Sequence, residues 1–171
     1  RGLAGTLENL TQWDQALQER EAVLALQEKY HSADHHALAA CALQAGQPQR
    51  GQEIAQKIVR TDAFDGQAHT LLGKALIAQD DFDQGRHHLE KAVQLSPEKP
   101  GAWLSLAEIH QQSENLQKQQ QTLLAAASAA TQSAEIHLAL GDAFQVANAP
   151  TKSLTSYRRA FELAESPHSE V

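Results

Sequence analysis

Three aspartates and two histidines fall within the nine residues Asp80–His88, "DDFDQGRHH". Carboxylates and imidazoles are the side chains that carry protons and hold divalent metals, so the stretch invites a reading as a metal site or an acid–base pair. Its spacing argues otherwise. Neighbouring residues on a helix point about 100° apart, so His87 and His88 do not converge on one ion. Asp83 and His87 stand one turn apart and can pair, but two ligands do not close a zinc site. Asp80 and Asp81 read as the turn between two helices, with Asp83 in the first turn of the second. A carboxylate there caps free N–H groups and complements the helix dipole, by about 0.3–1 kcal/mol. His87 and His88 then fall on a solvated outer face. The expectation is no metal site, no cofactor and no catalytic residue.

Other candidates read in the same way. His35, His69 and His137 occupy the slot that Trp103 fills elsewhere, which suits packed, neutral imidazoles. Cys41 lies among Ala39, Ala40 and Ala42 as a small buried thiol, with no neighbour in sequence to activate it. There is no glycine-rich phosphate loop and no serine elbow. The "QKQQQ" run, Gln117–Gln121, reads as a solvated helix face.

The elements that carry these residues are helices. Ala, Leu, Gln and Glu dominate the 171 residues, and apolar residues recur at three- and four-residue intervals, as in Ile136, Leu140 and Phe144. Breakers separate the periodic segments: Gly46 and Pro48, Asp65 and Gly66, Pro97 and Pro100, Pro150. The composition, 42% hydrophobic and 20% charged, is that of a globular chain. A net charge of −7 repels phosphate backbones and speaks against nucleic acid as a partner. No apolar run reaches the roughly 20 residues that span a bilayer, so no membrane insertion is expected. One cysteine excludes an intrachain disulfide and slightly favours the cytoplasm. The chain opens on Arg1 without an initiator methionine and reads as a fragment.

Self-alignment places "HTLLGKAL" (His69–Leu76) over "HHALAACA" (His35–Ala42), "WLSLAEIH" (Trp103–His110) and "HLALGDAF" (His137–Phe144), a period of 34. Leu38, Leu72, Leu106 and Leu140 align, each followed by a small residue: Ala39, Gly73, Ala107, Gly141. The second halves repeat too, "FDQGRHHLEKAVQLSP" matching "PTKSLTSYRRAFELAESP" and "WDQALQEREAVLAL". The pattern resembles the tetratricopeptide repeat, a helix–turn–helix unit of 34 residues. The resemblance implies an all-α, right-handed superhelical solenoid of stacked antiparallel hairpins. It is expected as a single repeat domain over residues 1–171, with units at 1–31 (partial), 32–65, 66–99, 100–133 and 134–167. Small residues should bring paired helices close: Ala4 with Ala16, Ala39 with Gly51, Gly73 with Gly85, Gly141 with Ser153. Gln119 breaks this rule opposite Ala107, so its amide should swing outward or its hairpin should splay.

The resemblance also implies that first helices line an inner face. The residues expected there for partner binding are His36, Leu43, Thr70, Lys74, Ile77, Leu104, Glu108, Gln111, Leu138 and Asp142, beside Ala40, Gln67, Glu135 and Gln145. Leu43, Ile77, Leu104 and Leu138 form an aliphatic row among polar neighbours, which suits a peptide or helix. Some members of the family clamp a terminal carboxylate with lysines and asparagines; here only Lys74 is basic and Glu108, Glu135 and Asp142 are acidic. The expected function is a non-enzymatic interaction scaffold whose partner is a protein or peptide with apolar anchors and positive charge. Two alternatives stand beside it: the regulatory or substrate-positioning arm of a larger enzyme such as a transferase, and a self-assembling structural segment. Leu154, Tyr157, Phe161 and Leu163 on the last helix form an apolar edge, which suggests a homodimer through residues 151–163.

Overall fold

The computed structural model describes residues 12–20, 22 and 32–165. Residues 12–20 are helical and belong to α1. Eight more helices follow: α2 (Ser32–Gln44), α3 (Pro48–Thr61), α4 (Gly66–Ile77), α5 (Phe82–Leu95), α6 (Pro100–Gln112), α7 (Leu116–Ala129), α8 (Ala134–Val146) and α9 (Pro150–Glu165). No strand occurs among the described residues. First helices start at Ser32, Gly66, Pro100 and Ala134, and second helices at Pro48, Phe82, Leu116 and Pro150, each series keeping the 34-residue period of the sequence. The fold is an all-α helical repeat. Its helices gather into two compact units, residues 1–95 and 96–171. Ala4 lies outside the described residues, so its pairing with Ala16 does too.

Local chemistry sets the helix ends. Asp65, Asn115 and Ser133 cap α4, α7 and α8, accepting from the backbone N–H of Ala68, Lys118 and Ile136. Pro48 and Pro100 open α3 and α6, where the missing N–H has no helical partner to lose. Every turn from a first to a second helix passes through one left-handed residue. These are Gly46 (φ 70°), Asp80 (φ 64°), Glu114 (φ 53°) and Asn148 (φ 54°), again 34 apart. The residue after each closes the helix by donating to a carbonyl five residues back: Gln47 to Ala42, Asp81 to Leu76, Asn115 to His110, Ala149 to Phe144, at 2.8–3.0 Å. This is a Schellman closure, in which a left-handed residue lets the chain satisfy the last carbonyls.

In the first unit the core contains Leu38, Ala39, Ala42, Ala55, Ile58, Ala68, Leu72 and Leu76, with Leu17 of α1. Gly73 and Gly85 face each other across α4 and α5. A Cβ on Gly73 would come within 2.7 Å of Leu89 Cγ and 2.9 Å of the Gly85 carbonyl oxygen. A Cβ on Gly85 would meet Ile77 Cγ1 at 2.6 Å. The backbones therefore touch only because both side chains are absent. In the second unit Leu123, Ala126 and Ile136 are fully enclosed, with Ala107, Leu140, Ala143 and Phe144 around them. At Gly141 the Tyr157 ring fills the space a Cβ would need, at the repeat position that Leu89 holds beside Gly73, and Ser153 is buried.

Candidate functional site

The acid-and-histidine stretch resolves into separate structural roles. Asp80 is the left-handed turn residue, and Asp81 Oδ1 accepts from the Gln84 N–H at 3.3 Å. Asp83 pairs with Arg86 at 2.9 Å rather than with His87. His87 is exposed, as expected. His88 is not on a solvated face: its Nδ1 lies 2.9 Å from Nδ1 of His69, and the two rings stack at 5.1 Å. The physical reason is the repeat slot. His69 is 1% exposed and stands where Trp103 stands one repeat later. Trp103 Nε1–H donates to the Pro97 carbonyl at 2.8 Å, and His69 Nε2 meets the Ala63 carbonyl at 3.2 Å, each six residues upstream. A carbonyl only accepts, so His69 Nε2 carries a proton. Burial lowers its pKa, which makes the ring neutral and leaves Nδ1 as an acceptor for the His88 Nδ1–H. Burial and the neighbouring His69 lower the His88 pKa as well. Among the described residues no three His, Cys, Asp or Glu side chains gather around a common point.

Cys41 is a small buried thiol, as its alanine neighbours suggested. The "QKQQQ" run is only partly solvated. Gln119 is buried and its Nε2 donates to Gln111 Oε1 at 3.3 Å, while Gln120 Nε2 donates to the Ala143 carbonyl at 3.2 Å. The amide of Gln119 therefore turns inward, contrary to one sequence expectation. The α6 and α7 backbones approach each other at fewer points than those of α4 and α5. The amide of Gln119 finds its polar partner in Gln111, in the last turn of α6.

The residues predicted for the inner face fare differently in the two units. In the first, His36 is a correction. It is buried, with Nε2 2.8 Å from Asp65 Oδ2. Asp65 uses its other oxygen to cap α4, so the pair ties α2 to the start of α4. Leu43 and Ile77 are half-buried against Gly51 and Gly85. Thr70 donates to the Gly66 carbonyl, and Lys74 is exposed.

In the second unit α6, α7 and α8 enclose a cavity of about 230 Å³. Leu104, Ala107, Ala139 and Val146 supply apolar walls, Glu108, Gln111 and Asp142 polar ones, and Gln119 and Leu123 the floor. No Lys, Arg or His lines it. The second helices of the two hairpins hold its polar groups. The Tyr157 hydroxyl on α9 donates to Asp142 Oδ1 at 2.6 Å and lies 3.0 Å from Gln145 Oε1. The bond to Asp142 raises the tyrosine pKa. Gln119 holds Gln111 from α7. Sequence reasoning missed both supports. A polar residue at an interior repeat position, and an aromatic four residues after the small-residue slot, were the available signals. Leu138 is outside this cavity and 53% exposed. On α9, Leu154 and Phe161 are each 61% exposed.

Helical hairpins in register, packed at most crossings through small residues, define a helical-repeat fold. A model of the tetratricopeptide repeat matches residues 76–143. A second, for anaphase-promoting complex, cyclosome, subunit 3, matches residues 9–92. No curated protein matches the sequence. Among solved structures, TTC0263, a thermophilic tetratricopeptide-repeat protein of Thermus thermophilus, superposes with a TM-score of 0.75. It is 19% identical, with 96% of this chain and 89% of that one covered. MamA from Desulfovibrio magneticus RS-1 gives 0.63 at 18% identity, covering 96% and 93%. Another MamA crystal structure gives 0.65 at 18% identity, covering 90% and 89%. Between them these repeat models match residues 9–143, and the fold is that of tetratricopeptide-repeat proteins. Proteins of this fold serve in general as scaffolds for protein interaction.

Proposed function

We propose that the cavity between α6, α7 and α8 takes one apolar side chain of a peptide or helix whose flanking residues are positive, and that the protein is a non-enzymatic scaffold. The observation that carries this is the cavity's composition: aliphatic walls, two carboxylates and no cation. About 230 Å³ is below the range of sites for drug-sized ligands, but suits a single anchoring side chain. Glu108 is exposed at its rim and Asp142 is held in place by Tyr157. A held carboxylate costs less to order on binding than a free one. Leu138 and Gln145 extend the same helix face. In the first unit Thr70 and Lys74, with the exposed edges of Leu43 and Ile77, offer a separate contact surface at the same repeat positions.

The test is a fluorescently labelled amphipathic peptide with leucines at helical spacing and lysines elsewhere. The full chain should bind it, Leu104→Glu should weaken it at least tenfold, and Glu108→Lys should weaken it and flatten its salt dependence. Equal affinity for all three proteins would overturn the reading.

Self-association through α9 is a second reading, favoured by the exposure of Leu154 and Phe161. Phe161→Glu is the informative variant. Tyr157→Glu is not, because Tyr157 packs on Gly141 and bonds Asp142. Sedimentation of the native chain should show a concentration-dependent dimer that Phe161→Glu abolishes; a monomer at every concentration would remove this reading.

A further inference from the structure

A second, larger groove of about 750 Å³ lies in the second unit between α7, α8 and α9. Its base is apolar: Leu124 and Ala127 from α7, Leu140 and Phe144 from α8. Leu124 is 48% exposed there. Its α9 wall carries Lys152, Arg158 and Arg159, against the single acid Glu162. The second unit has five Lys and Arg residues, Lys99, Lys118, Lys152, Arg158 and Arg159, so three of the five meet on this wall. In a chain of net charge −7, that is a local inversion of sign. None of the three cations is neutralised deep in the fold. All are exposed. Lys152 reaches over the Phe144 ring at 5.5 Å. Arg159 meets Glu162 at 3.3 Å, an exposed pair of the kind that contributes little and gives way to a better partner.

The groove differs from the acidic cavity and from the exposed α9 edge. It lies on one flank of the buried stripe Ser153, Ser156 and Ala160, and Leu154 and Phe161 lie on the other. From its apolar base and cationic wall we infer that the groove docks an acidic amphipathic helix of a partner protein. The helix places its apolar face on Leu124, Leu140 and Phe144 and its carboxylates on Lys152, Arg158 and Arg159. Guanidinium groups bind carboxylates in a fixed, two-pronged geometry, so the two arginines set the register of the bound helix. The two surfaces of this unit then select partners of opposite charge, which lets one small unit join two different chains.

The test uses the full chain and a labelled probe peptide with leucines at i, i+3, i+4 and i+7 and glutamates elsewhere, read by fluorescence anisotropy. Binding should weaken steeply with salt. Lys152→Glu with Arg158→Glu, and separately Leu124→Glu, should each weaken it at least tenfold, while Leu104→Glu leaves it unchanged. All these positions are at least partly solvent-facing, and circular dichroism confirms that each variant is folded. No binding by the native chain, or equal binding by the groove variants, would overturn the inference. An oligonucleotide that displaces the peptide at equal charge concentration would assign the groove to phosphate instead. Sedimentation that shows native self-association abolished by Leu124→Glu would assign it to a second copy. Either result would also overturn the acidic-helix proposal.

Discussion

A neutral imidazole pair buried between α4 and α5 is a liability in acid. His69 and His88 both have pKa values below the usual histidine range, chiefly because burial disfavours the charged ring. Lys91 and His87 push the same way, and Asp65 opposes them at His69. The unfolded chain therefore binds protons more readily than the folded one. The stability is fully present above the ordinary histidine pKa of about 6.5 and is lost as pH falls below it toward the depressed folded values. Thermal midpoints should be lower at pH 5.5 than at pH 7.5. His88→Asn, which keeps an N–H donor without titrating, should reduce that dependence. A midpoint that does not change between the two pH values would contradict a pair kept neutral by burial. At this scale the sequence was half legible. A histidine in the tryptophan slot pointed to a packed ring, and His69 is one. His88 was hidden because its repeat position carries residues as different as Ile54 and Ser156, and only the fold brings it against another histidine. His36 was hidden likewise: its partner Asp65 lies 29 residues on in sequence.

Helix pairs depend on what is missing at their crossings. Gly73→Ala places a Cβ against the Gly85 carbonyl, which is backbone and cannot step aside. Chemical denaturation should show a loss of about 1–3 kcal/mol. At Gly51 the nearest atom to a new Cβ is Leu43 Cδ2, the end of a flexible side chain. Gly51→Ala also gains helix propensity, so its stability should stay within about 1 kcal/mol of native. Equal losses at the two sites would show that these contacts do not set the packing. The turns give a test with the opposite sign. Glu114 holds a left-handed backbone that glycine adopts freely, and Gly46 already fills the equivalent position. Glu114→Gly should therefore stabilise the chain by about 1 kcal/mol, with a smaller gain for Asn148→Gly. Helix starts were legible because Pro48, Pro100 and Pro150 mark them. The left-handed positions were legible only in retrospect, since Gly46, Asp80, Glu114 and Asn148 share a spacing but no residue type.

For the molecule as a whole, the 34-residue period foretold the class of fold, because each hairpin must bury the same face against its neighbours. The partner-binding surface was less legible. A register position says which way a side chain leaves its helix. It says nothing about whether the next helix fills the space, as it does around His36 but not around Glu108 and Asp142. The groove beside Arg158 and Arg159 escaped for the same reason, since its walls come from three helices. The central claim is that the α6–α8 cavity is where a positively flanked apolar anchor is held. Titrating the lysine-and-leucine probe peptide into isotopically labelled protein, while following backbone amide resonances, locates binding directly. The shifts should concentrate at Leu104, Glu108, Gln111, Asp142 and Val146, and saturate together. Saturable binding that moves only resonances outside α6, α7 and α8 would contradict it.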